Sequence, residues 1–227
     1  MAARAAVRDT VSARLVPRGW EAARDGGGRR SDGGWAGFEA EVTPLKGWLA
    51  ADAPPGSVYL ALHAGVALDR VAPVALVPWS PPGRPSHGSL WPFRGTESRV
   101  FDPATGRVHL AGVVAGDDWT RGEPLDGLVD GLAHWAEPLC AGPALRDHFL
   151  GLFRTDPHVG PETLLPLAVL VRDHGPAEVY DEVVAAAARR LDDVPVPPGS
   201  PAFSGLASSS ATFLAWLADR APERPDA

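Results

Sequence analysis

Glu39 and Glu41 stand two residues apart in the strand-like segment 35–43, so their side chains leave the backbone on the same side. His63 falls on the polar side of a second strand-like segment, and His109 lies in a third. If those strands are neighbours, two carboxylates and two imidazoles share one polar sheet face. Such donors suit a divalent metal or acid–base chemistry on a small ligand. The ordinary reading of the same pattern is the solvated face of an antiparallel sheet. No cofactor is called for by any motif in the chain.

Three other groupings carry less. Cys140, the single cysteine, would need His134 or His148 as its base. These lie six residues before it and eight after it, and the Gly142–Pro143 break precedes His148. A buried, idle thiol is the usual outcome. The Gly26–Gly28 run followed by Arg29 and Arg30 offers backbone N–H groups to a phosphate. It lacks the Lys and Ser/Thr of a P-loop, and a strand follows it where that motif needs a helix. Asp117 and Asp118 sit at a strand-to-helix junction without EF-hand spacing, which suits turn chemistry and capping.

Residues 78–96 (PWSPPGRPSHGSLWPFRGT) read as a long, partly extended, proline-rich loop. The chain has eight tryptophans, two to three times the average usage, and most begin an element or fall on a helix face. Trp79, Trp91 and Phe93 instead flank this loop, which offers little core of its own. Rigid aromatic anchors on a restrained loop are what protein interfaces favour. The competing reading folds the loop back and packs the tryptophans on the sheet.

Hydrophobic periodicity supplies the elements that must position these residues. Val7, Val11 and Leu15 predict a helix over 4–16, ended by Pro17 and Gly19. The Gly- and Arg-rich stretch 25–34 predicts a mobile loop or hairpin tip. Alternation predicts strands over 35–43 and 57–69, and a third over 107–114. Residues 71–77 read as a β-rich continuation interrupted by Pro73. No helix is expected between the strands, so an antiparallel meander of three or four strands is favoured over a parallel sheet. From about Glu123 the pattern turns helical: 125–139, 145–153, 161–172 with Pro161 in its first turn, 176–191, and 206–219 beyond a proline-rich linker at 195–201. The fold class expected is α+β. It comprises an N-terminal helix and sheet domain over 1–155, a helical region over 156–220 packed on or following it, and a disordered tail at 221–227.

Composition bounds the function. A formal net charge of −7 with scattered basic residues argues against a nucleic-acid binder. One cysteine allows no internal disulfide and fits a reducing, cytoplasmic setting. The first twenty residues have no apolar run of the secretory kind, and no stretch approaches the ~18 apolar residues of a membrane span. Abundant Ala, Gly, Pro and Arg beside a single lysine, Lys46, is the bias of GC-rich bacterial coding sequence.

The order of a short helix, the Gly19–Trp20 step, a polar loop, a Trp35-led strand with Phe38, and the long Tyr59 to Val66 strand resembles a bacterial α+β domain family of unknown function. Arg8–Asp9 match it too, and the resemblance covers roughly residues 5–150. Members of that family often sit beside toxin and immunity genes. The resemblance implies an immunity-like or accessory role and carries no catalytic residues. The expectation is a non-enzymatic protein-interaction factor that binds another protein and neither nucleic acid nor membrane. The alternative is a metal- or small-ligand-binding enzyme using the polar sheet face. The helix pair at 161–191 looks like one helical-repeat hairpin, read here as a cap.

Overall fold

The structure is a computed structural model that describes residues 2–23, 26–31, 34–47, 53–71, 79–80, 84–85, 96–110, 122–156, 158–193 and 209–220. Helix α1 (Ala2–Leu15) buries Ala3, Val7, Val11 and Leu15, one residue per turn along a single stripe. A 3-10 turn (Val16–Arg18) follows, and Gly19 closes it at φ 80, where only a residue without Cβ sits at ease.

Seven strands then form one antiparallel sheet: β1 (Glu21–Ala23), β2 (Gly26–Ser31), β3 (Gly34–Pro44), β4 (Val58–Leu68), β7 (Thr96–Asp102), β8 (Arg107–Leu110) and β9 (Glu123–Pro124). They lie side by side in that order. Two more, β5 (Trp79–Ser80) and β6 (Arg84–Pro85), pair only with each other, and Trp79 faces Pro85 in that register.

The expected three or four strands are therefore too few, and the reason differs by strand. The glycine-rich stretch read as a loop is mostly strand β2. Gly26 lies so close to the carbonyl of Phe38 that any Cβ there would collide with it. Gly27 likewise lies under Leu15, whose Cδ1 would sit 3.2 Å from an added Cβ. These glycines mark close backbone approach within a sheet, not looseness. Strand β7 escaped because Val100 and Phe101, consecutive and on opposite faces, are both buried, which erases the period-two signal. Strand β4 is covered on both faces too, but its large side chains keep to one face and alanines to the other, so its alternation stays legible. Leu60, Leu62 and Val66 are buried on one face, and Ala61 and Ala67 on the other. The expectation of one solvated polar face fails for these central strands, since a strand covered on both sides has no outward face.

The helices are α2 (Leu125–Leu139), α3 (Gly142–Thr155), α4 (Pro161–His174), α5 (Tyr180–Asp193, led by a 3-10 turn at Ala177–Val179) and α6 (Ser210–Asp219). Pro143 and Pro161 open α3 and α4, where a missing N–H costs nothing. Ser209 caps α6 by accepting from the backbone N–H of Thr212 at 3.2 Å. Helix α4 touches α3 and α5, and α6 touches α5. Every residue of α4 from Thr163 to Val171 is buried, so its sequence is apolar all round rather than striped.

The chain divides into two compact units. One takes residues 1–30, 36–66 and 90–137, with α1, most of the sheet and most of α2. The other takes 31–35, 67–89 and 138–227, with helices α3 to α6. In the second unit Arg70, just past β4, grips Asp173 of α4 by two hydrogen bonds, Nε to Oδ2 at 2.9 Å and Nη2 to Oδ1 at 2.8 Å. Asp173's side chain is fully buried.

Candidate functional site

The sheet register decides whether Glu39, Glu41, His63 and His109 converge. Tyr59 of β4, Val100 of β7 and His109 of β8 form one row across the sheet, and His63 faces Thr96. His63 and His109 thus share a face but sit four residues apart along the strands and two strands apart across them. At about 3.4 Å per residue and 4.8 Å per strand, their Cα atoms lie about 17 Å apart. Glu39 and Glu41 are on β3, a further strand from β8. Zinc ligands must all come within about 2 Å of one ion. Among the described residues no three His, Cys, Asp or Glu side chains gather in such a group. Burial differs as well: His109 is buried, Glu39 and His63 are half-buried, and Glu41 is exposed.

His109 has a packing role on view. Gly122 lies against its ring, so a Cβ at Gly122 would strike the imidazole. Asp102, buried at the end of β7, accepts from the Ala104 N–H at 2.9 Å and the Thr105 hydroxyl at 2.8 Å. Its charge is used to hold the β7–β8 turn.

The densest polar cluster is one that sequence spacing did not single out. Glu137 of α2 accepts both guanidinium bonds of Arg18, at 2.8 and 2.9 Å, and the Trp20 indole N–H at 2.8 Å. Arg29 of β2 stands 3.6 Å away. Two turns earlier on α2, Asp130 takes Arg14 of α1, whose Nε donates at 3.0 Å. The legible signal was Arg14 and Arg18 one turn apart, and Asp130 and Glu137 seven apart, each pair on one helical face. What the cluster does is brace α1 and its 3-10 turn against α2.

Arg18, and then Trp20, hold the Glu137 carboxyl below its ordinary range, against the upward push of burial. A carboxyl depressed in the folded state adds stability above its unfolded value, near 4.5, and loses it as pH falls through the folded value. Glu137→Gln is expected to cost about 1–2 kcal/mol at pH 7. The gap between wild type and variant should close in acid. Urea midpoints from pH 7 downward check this, and a gap independent of pH would count against an ionic brace.

Of the remaining candidates, Cys140 is a buried free thiol, His134 is exposed, and burial pushes the His148 imidazole down, toward its neutral form. Arg29 belongs to β2, so the glycine run before it is strand and not a phosphate loop. Asp117, Asp118, Trp91 and Phe93 lie outside the described residues. Trp79 is placed only by the backbone of β5. No helix among the described residues is long and apolar enough to cross a membrane.

The aromatic segment does have a place in the topology. It lies within the connection between β4 and β7, two neighbouring antiparallel strands. His63 pairs with Thr96, so β4 overshoots by five residues to Leu68, turns through Val71, and the chain must return that distance. About eight extended residues cover that return. The chain has 24, residues 72–95. Comparison with protein-family models, with curated proteins and with solved structures returned no match for this chain.

Proposed function

We propose that this protein is a non-enzymatic interaction factor, immunity-like or accessory in role, that binds a partner protein in the bacterial cytoplasm through its 78–96 segment. The surplus length of the β4–β7 connection carries the reading. Neighbouring antiparallel strands need little chain to join them, and long loops inside compact folds are generally functional. This one holds Trp79, Trp91 and Phe93, the residue types that dominate interface energetics. The net charge of −7 favours a basic partner. The immunity part rests on the family resemblance alone.

The test is affinity capture from the source organism followed by binding measurements on whatever is captured. Trp79→Ala/Trp91→Ala is expected to weaken capture at least ~30-fold, since each central aromatic anchor is worth about 2 kcal/mol or more. Its Tm should stay near that of wild type. Replacing residues 73–94 by a Gly/Ser linker of about 12 residues, long enough for the return, should likewise leave the fold and abolish capture. Unfolding of either variant, or undiminished capture, would remove the proposal.

A further inference from the structure

We draw no further inference here: the strongest candidate, the pocket of about 390 Å³ where β3 ends and β4 begins, lined by Thr43, Pro44, Leu45, Lys46 and Tyr59, has nothing in the structure that commits it to one occupant.

Discussion

Arg70→Ala is expected to destabilise the protein by about 3 kcal/mol, at the low end of the 3–5 kcal/mol typical when one partner of a buried pair is removed. Asp173 has no exposed side-chain surface, and Arg70 is its two-pronged partner. Without the guanidinium, a carboxylate on a helix buried from Thr163 to Val171 keeps its desolvation penalty and loses this charged partner. The low end is chosen because Arg70's side chain is 30% exposed, so water can enter where it stood. The converse change should cost less. In Asp173→Ala the arginine left behind has a solvent route along its own stem and can reach water. A Met/Leu replacement of the two together should recover most of the loss. Urea unfolding with an unchanged m-value is the measurement. A loss under about 1 kcal/mol for Arg70→Ala would place the pair with ordinary surface ion pairs.

Phe101→Ala should cost as much or more, about 3–5 kcal/mol. Phe101 is 2% exposed and stands in register between Val58 of β4 and Val108 of β8. Truncation there opens a cavity between strands that are fixed on both sides by ladder hydrogen bonds and cannot collapse to fill it. Leu110, at the end of β8 and 54% exposed, is the matched control and should change stability by less than about 0.5 kcal/mol. Similar losses at the two positions would contradict the central place of β7. The pairing of β7 with β4 is what makes the 72–95 connection longer than the return between those two strands needs.

The helices were legible because each of α1, α2, α3, α5 and α6 buries one stripe, and a stripe on a helix writes a 3.6-residue period into the sequence. Strand β3 was legible for the parallel reason, with Ala36, Phe38 and Ala40 buried and Glu41 exposed. Strands β1, β2 and β7 were not. A three-residue edge, a glycine-rich strand and a strand covered on both faces leave no alternation to read.

The candidate site divides along the same line. That Trp79, Trp91 and Phe93 lie together in a proline-rich stretch is a property of the sequence itself. That the stretch joins neighbouring strands and exceeds the length they need is a property of the sheet. The four polar residues Glu39, Glu41, His63 and His109 show the opposite case. Their types and their strands were visible, but strand order and register set His63 and His109 far apart, and no three of the four gather. The bonds of Arg18 to Glu137, 119 residues away, and of Arg70 to Asp173, 103 away, were equally invisible. Local periodicity records which face of an element is buried, whereas a pairing between distant residues is recorded only when the elements meet, since a charged side chain reads the same whether it will meet water or a partner.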